Sequence, residues 1–304
     1  MHLSRRSFLK TSALAAAGAT LLPPKLLAAR KPKELVGVQL YSIRDAMKAD
    51  PLATLTKLAD MGYQHVEHAN YIDRKFYGYA PKEFKKVLDD LGLKMPSGHT
   101  VMRGEHWDAA KKDFTDAWKY TVEDAAVLGQ EYVISPWLDE SLRKSYDGLL
   151  QFMEVFNKSG ELCKKSGMKF GYHNHDFEFS ESLNGQTLYD LILTHTDPKL
   201  VIQQLDIGNM IGGGGDPQAI LSKYPDRFPS MHVKDEIASQ EEHSGYESTI
   251  LGKGIVGTKE IAAMGKKMGG TKHFIIEQES YQGMDPLDSV KEDLMIMKKW
   301  GYVS

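Results

Sequence analysis

The 304-residue sequence contains one cysteine, Cys163. An intramolecular disulfide is therefore excluded, and the fold has to rest on its apolar core. Charge of one sign is scarce too: 38 Lys and Arg stand against 41 Asp and Glu, for a net charge of −3. That balance gives no general reason to expect nucleic acid or an anionic membrane as partner. Beyond the N-terminal segment no apolar run approaches the ~20 residues of a membrane-spanning helix. No linker, low-complexity tract or charge block divides the chain. A glycine-rich phosphate loop is missing where an open doubly wound sheet would carry one, since the first strand runs into Gln39-Leu-Tyr-Ser-Ile-Arg44. Gly212-Gly-Gly-Gly215 lacks the G-x-G-x-x-G spacing and reads as a flexible turn into an Asp216 cap. What is present, 41% hydrophobic and 26% charged residues, is the composition of a soluble globular protein.

The first residues read as a targeting segment. Ser4-Arg-Arg-Ser-Phe-Leu-Lys10 is a twin-arginine sequence, followed by the small-residue apolar run from Thr11 to Leu22 and a cleavage-like stretch at Leu27–Ala29. This pattern resembles a bacterial twin-arginine export signal. It predicts a signal peptide over residues 1–29, a folded domain over 30–304, the twin-arginine translocation machinery as partner, and a periplasmic or otherwise exported product. The apolar run is too short for stable membrane insertion.

From about residue 33 the chain alternates short apolar runs with amphipathic helical patterns. Strands are predicted at Val36–Tyr41, His65–Glu67, Lys94–His99, Glu131–Ser135, Lys169–His175, Val201–Asp206, Ser230–Val233 and His273–Glu277. Met61-Gly62, Leu91-Gly92, Leu128-Gly129 and Ser166-Gly167 read as helix stops, and Asp50-Pro51 and Asp216-Pro217 as helix starts. Eight such units in this length predict an α/β fold, a single (β/α)₈ TIM barrel.

In such a barrel the active site forms at the C-terminal strand ends, and the polar residues fall there. The strands end in Gln39, Glu67-His68, Ser97-Gly-His99, Gln204-Leu-Asp206, His232-Val-Lys234-Asp235 and Glu277-Gln-Glu279. The fifth runs into Gly171-Tyr-His-Asn-His-Asp-Phe-Glu-Phe179, where alternation places His173, His175 and Phe177 on one face. Two histidines on one strand face are costly to bury unless each nitrogen has a partner, which a metal ion or a substrate would supply. His173 or His175, with Asp206, His232 and Glu277, forms a nitrogen and oxygen ligand set suited to Mn²⁺, Zn²⁺ or Co²⁺. Lys234 shares a face with His232 and is a candidate to bind a sugar hydroxyl or to stabilise developing negative charge. Asp235 points the opposite way and reads as a support. Trp107 and Trp137, after strands three and four, are open to either ring stacking or helix packing. The insertion Asp235–Ile250, with Glu241, Glu242 and His243, reads as a lid or a dimer contact, which leaves a homo-oligomer open.

From about residue 35 onward the chain resembles the sugar phosphate isomerase/epimerase family, with its xylose isomerase-like barrel. The resemblance rests on Tyr172-His-Asn-His-Asp-Phe-Glu178, Leu205-Asp-Ile-Gly208, Asp216-Pro217, His232-Val-Lys-Asp235, Leu251-Gly-Lys-Gly254 and Ile276-Glu-Gln-Glu279. It implies one divalent ion held by Asp206, His232 and Glu277 together with a strand-five Glu. That Glu position is occupied by His173. His173 is taken to replace it as ligand; the alternatives are Glu178 reaching back or a weaker site. His175 then matches a position that resembles a catalytic base in keto-glycoside-cleaving relatives. Gln39, Glu67, His99 and Lys234 are the expected substrate contacts, and His175, Lys234 and Glu277 the expected catalytic groups.

Two enzymatic readings follow: isomerisation or epimerisation of a sugar, and β-elimination from an oxidised, 3-keto glycoside. Both begin with proton abstraction next to a carbonyl. Loss of one of the two Glu ligands weakens the epimerase reading, and export disfavours a phosphorylated substrate. A third reading, from another class, is a non-catalytic periplasmic sugar-binding protein on a barrel scaffold.

Overall fold

The computed structural model describes residues 34–239 and 245–303. Glu241, Glu242, His243 and the signal segment lie outside the described residues. Among the described residues, eight parallel strands close into one barrel. They are β1 (Leu35–Gln39), β2 (His65–His68), β3 (Lys94–His99), β4 (Tyr132–Ser135), β5 (Lys169–His173), β6 (Val201–Asp206), β7 (Ser230–Val233) and β8 (His273–Ile276). Each pairs with its neighbours in chain order, and β8 pairs with β1. The principal helices between and after them are α1 (Pro51–Met61), α2 (Pro81–Asp90), α3 (Asp116–Leu128), α4 (Tyr146–Lys165), α5 (Leu188–His195), α6 (Pro217–Lys223), α7 (Thr258–Met264) and α8 (Pro286–Lys299). No helix among the described residues is long and apolar enough to cross a membrane.

Local chemistry sets these boundaries. The Asp50 carboxylate accepts from the Ala53 N–H at 3.0 Å to start α1, and Asp216 accepts from Gln218 and Ala219 to start α6. Gly62 and Gly129 end α1 and α3 with left-handed φ values of 101° and 76°, which a residue with a Cβ enters only under strain. Cys163 is buried on α4, and burial pushes its thiol up to about 12.

Two expectations are corrected. The fifth strand stops at His173, two residues early, and Phe177–Ser180 forms a short helix. The turn has a cause: the Glu178 carboxylate accepts from the Tyr172 hydroxyl and from the His175 backbone N–H. The Gly212–Gly215 run is a tight packing element. A Cβ on Gly213 would lie 2.3 Å from the Asp176 carbonyl oxygen, so only glycine allows the β5 and β6 loops to touch there.

After β7 the chain forms a hairpin, Asp235–Ala238 with Tyr246–Thr249. Asp235 supports it from outside the barrel. Its carboxylate accepts from the backbone N–H groups of Glu236, Gly252, Gly254 and Val256, which fixes the Leu251-Gly-Lys-Gly254 turn.

Beneath the β2 and β3 ends, His68 is buried and its Nδ1 has no partner among the described residues. Burial holds its pKa down, at about 3. A Cβ on Gly98 would stand 1.9 Å from His68 Nε2. Gly98→Ala is therefore expected to destabilise the fold by about 1–3 kcal/mol through overpacking. Urea denaturation checks this; a change near zero would mean that His68 is free to move aside.

Candidate active site and metal centre

Strand register builds the floor of the site. Gln39 lies beside Glu67, and Glu67 beside Ser97, while His173, Gln204 and Ser230 line up across β5, β6 and β7. These side chains bond to one another instead of to water. The Glu67 carboxylate accepts from Gln39 (2.8 Å), Gln204 (2.9 Å), His232 Nε2 (2.7 Å) and the Ser97 hydroxyl. Burial alone would favour its neutral form, but the adjacent His99 and His232 hold its pKa well below the usual carboxylate range. The Gln204 amide oxygen accepts from His99 Nε2 (2.7 Å) and His173 Nδ1 (3.1 Å), while its nitrogen donates to Glu67 and Ser230.

The network assigns the ring nitrogens. With Nδ1 committed to Gln204, His173 presents Nε2 to the space above, 3.9 Å from Asp206 Oδ2. With Nε2 committed to Glu67, His232 presents Nδ1, which lies 3.0 Å from Glu277 Oε2 and 3.9 Å from Asp206 Oδ2. Asp206 is held by two carboxamide contacts on its backbone: Asn174 Oδ1 accepts from its N–H and Asn174 Nδ2 donates to its carbonyl, both at 3.0 Å.

One ligand atom from each of His173, Asp206, His232 and Glu277 lies within 4.8 Å of the others, and all four residues are buried. This group could hold a metal ion, and three features fit one. Asp206 Oδ2 is buried without a hydrogen-bond partner among the described residues, although His173, His232 and Lys234 stand only 3.6–3.9 Å from it. Four carboxylates, Glu67, Asp206, Glu277 and Glu279, crowd around Lys234, His232 and His99, so negative charge is concentrated here. Finally, Asp206 carries the strain of that crowding. Burial raises its pKa to about 6 despite the nearby Lys234. Burial opposes charge on His232 as well, yet Glu277 and Glu67 outweigh it and lift its pKa to about 10. A divalent cation would take the place of that proton.

Above this group opens a cavity of about 870 Å³ whose inner wall includes His99, His173, His175, Glu277 and Glu279, with Trp137 on the wall beside His175. The His175 ring lies 5.3 Å from that of His173 and 5.1 Å from Trp137, edge to face. Its buried Nδ1 has no partner among the described residues. Burial, helped by Lys234, lowers its pKa to about 4, so the ring is neutral near pH 7.

Several expected contacts fall elsewhere. Gln39 and Glu67 are fully buried, bond to neighbours in the floor and are not among the residues that line the cavity. Lys234 is buried as well, and its ammonium bonds Glu277 and Asn209 at 3.3 Å and also Glu279. Its three protons are thus engaged by these three acceptors. Glu178 faces Tyr172 and the His175 backbone and is not part of the ligand group. Trp107 packs on Phe114, whereas Trp137 lines the cavity. Sequence reading gave no role to Gln204 or Glu279. Gln204 was visible as a second polar residue on the Asp206 face of β6, two positions before it.

Residues 55–300 match the model of the xylose isomerase-like TIM barrel family. The chain belongs to this family. Its first residues, 2–21, match the twin-arginine translocation pathway signal sequence. The chain is 27% identical over 246 residues to an inosose dehydratase of Lacticaseibacillus casei, covering 72% of this chain and 78% of that protein. It is 34% identical over 196 residues to an inosose dehydratase of Clostridium botulinum, covering 60% of this chain and 62% of the other. A crystal structure of a sugar phosphate isomerase/epimerase from Parabacteroides distasonis superposes with a TM-score of 0.76 at 26% identity, over 93% of this chain and 100% of that one. A D-allulose 3-epimerase from Methylomonas, solved with D-allulose, shares the fold, with a TM-score of 0.63 at 15% identity over 88% of this chain and 98% of the other.

The floor itself is testable. Glu67→Gln keeps the shape but removes the charge that orients His232. By analogy with carboxylates that orient ligand histidines, it is expected to weaken metal affinity by about 10–100-fold. Metal titration of the variant checks this, and unchanged affinity would leave Glu67 a packing residue only.

Proposed function

We propose that this family member is an exported, metal-dependent lyase that acts on an oxidised sugar by β-elimination. The supporting observation is the pairing of His175, a neutral cavity-lining ring whose buried Nδ1 has no partner among the described residues, with the adjacent His173, Asp206, His232 and Glu277 group. In this reading His173, Asp206, His232 and Glu277 hold one Mn²⁺, Zn²⁺ or Co²⁺ ion. Bound there, the ion supplies Lewis-acid polarisation of a ketone at C3.

His175 takes the C2 proton. The C–H electron pair moves into the C2–C3 bond, and the ketone oxygen gains charge. The C3 carbonyl then re-forms, C1=C2 forms, and the C1–O bond breaks, so the leaving oxygen departs with that electron pair. A proton has to reach this oxygen. In this reading the proton taken by His175 returns to this oxygen through Glu279, which lines the same cavity, so the net exchange is zero. Lys234 keeps Glu277 and Glu279 in place, and His99 packs against both His173 and His232.

Two considerations favour elimination over epimerisation. A two-sided proton relay needs a second acid/base carboxylate, and His173 stands at the strand-five position. Dehydration, the activity named for the inosose dehydratases, is itself an elimination. The barrel's likeness to a sugar phosphate isomerase/epimerase keeps proton return as the second reading. The signal supports export to the periplasm, with cleavage near Leu27–Ala29. Incubating the metal-loaded protein with methyl 3-keto-glucoside in D₂O separates the readings. Elimination releases methanol; epimerisation exchanges the C2 proton without release. Neither event would sink both enzymatic readings and leave a sugar-binding protein.

A further inference from the structure

The cavity exceeds what one sugar ring needs. Its volume is about 870 Å³. Even at the ~30 Å³ that liquid water allots to each oxygen, a hexose would take up only roughly 360 Å³. Away from the ligand group the lining mixes polar residues such as Asn70, Asp73 and Arg74 with exposed aromatic and apolar ones. Ile72 (61% exposed), Tyr41 (43%), Tyr120 (37%) and Trp137 (37%) all line this cavity. Together they are four of the ten large hydrophobic residues exposed among the described residues, a concentration that marks a binding surface rather than scattered surface chance.

The outer wall is also held in one arrangement. Arg74 grips the buried Asp124 of α3 through Nε (2.9 Å) and Nη2 (2.7 Å), and the Tyr71 hydroxyl donates to the same carboxylate at 2.6 Å. The Arg74 guanidinium sits 4.0 Å from the centre of the Tyr120 ring. Asp73 and Arg74 form the turn of the hairpin Tyr71–Ile72 with Lys75–Phe76, at φ values of 49° and 60°. Arginine enters that region only when its surroundings hold it there. Because Asp124 and Glu123 both pair with Arg74 and Asp73 lines the same wall, this surface offers planar and apolar faces but no net positive charge for a phosphate or carboxylate.

We propose that this outer half is a subsite for a second, apolar-faced ring carried as the leaving group. The substrate is then an oxidised glycoside with an aryl or sugar aglycone, not a free monosaccharide. The inference rests on the elimination reading for which end of the cavity holds the reacting sugar.

Titration calorimetry of the full chain with methyl, phenyl and glucosyl β-glucosides measures binding alone. At least one ring-bearing ligand is expected to bind about tenfold more tightly than the methyl glucoside. Tyr120→Ala and Ile72→Ser, both at exposed positions, should each narrow that ratio by about threefold. A phenyl preference identifies an aryl aglycone, and a glucosyl preference a disaccharide. Equal affinity for all three overturns the subsite. Kinetics with the 3-keto forms separate the two claims. Equal kcat/KM for methyl and ring-bearing substrates removes the subsite but keeps elimination. Ring-selective binding without aglycone release keeps the subsite and removes elimination.

Discussion

Asp206→Ala is expected to lower turnover by about a thousandfold or more and to cut bound metal from near one equivalent to a small fraction. Lewis-acid stabilisation is worth several kcal/mol, and each 1.36 kcal/mol is a factor of about ten in rate. Asp206 is the sensitive position because its Oδ2 is buried without a hydrogen-bond partner among the described residues, whereas His173 and His232 each have one nitrogen fixed by the floor. Binding also has a proton signature. His232 has a pKa lifted to about 10, so it is protonated at pH 7 and must release that proton to offer Nδ1. Asp206, at about 6, is mostly ionised at that pH. Metal uptake at pH 7 is therefore expected to release about one proton, read from calorimetry in buffers of different ionisation enthalpy. Affinity should fall further as pH drops through 6, where Asp206 also protonates. Elemental analysis of Asp206→Ala showing a full equivalent of metal would remove this ligand set.

Which residues meet was largely legible in the sequence; how deep they lie was not. Polar residues at the ends of apolar runs located His173, Asp206, His232 and Glu277, because alternation fixes the face a side chain takes. Alternation does not fix height along the barrel axis, which depends on the stagger between strands. Gln39 and Glu67 share the β1–β2 register and sit one level too low to reach the cavity. Lys234 has the right face, but three acceptors from the segments that follow β6 and β8 surround it, and only the closed barrel brings those segments together. The end of β5 was missed because Glu178 turns the chain through a backbone contact that periodicity does not register. The aromatic mouth was half visible: Trp137 was open to either role, while Tyr71, Arg74 and Tyr120 become one wall only when the hairpin after β2 meets α3.

Replacing His175 tests the chemistry itself. Loss of a general base costs about 10²–10⁴-fold in rate, so His175→Ala is expected to reduce kcat by that order while metal content stays near one equivalent. The pH profile adds a readout that a structural role would not move. Burial lowers the His175 pKa to about 4, with a smaller contribution from Lys234. The reactive form is the neutral ring, so at metal concentrations that keep the site saturated kcat/KM should hold as pH falls below 6.5 and drop only near 4. Trp137 lies 5.1 Å from this ring and shields it from water. Trp137→Ala admits solvent, eases the cost of charging the imidazole, and should move the acid limb upward toward the ordinary 6.5 of a free histidine. The same burial makes His175 a weak base, which is why the reading requires an acidic proton beside a ketone and not an unactivated sugar carbon. If Trp137→Ala leaves the acid limb in place and His175→Ala retains full kcat, the proton leaves through another group. Glu279, the carboxylate with the greatest solvent access on the inner wall, would then be the residue to replace.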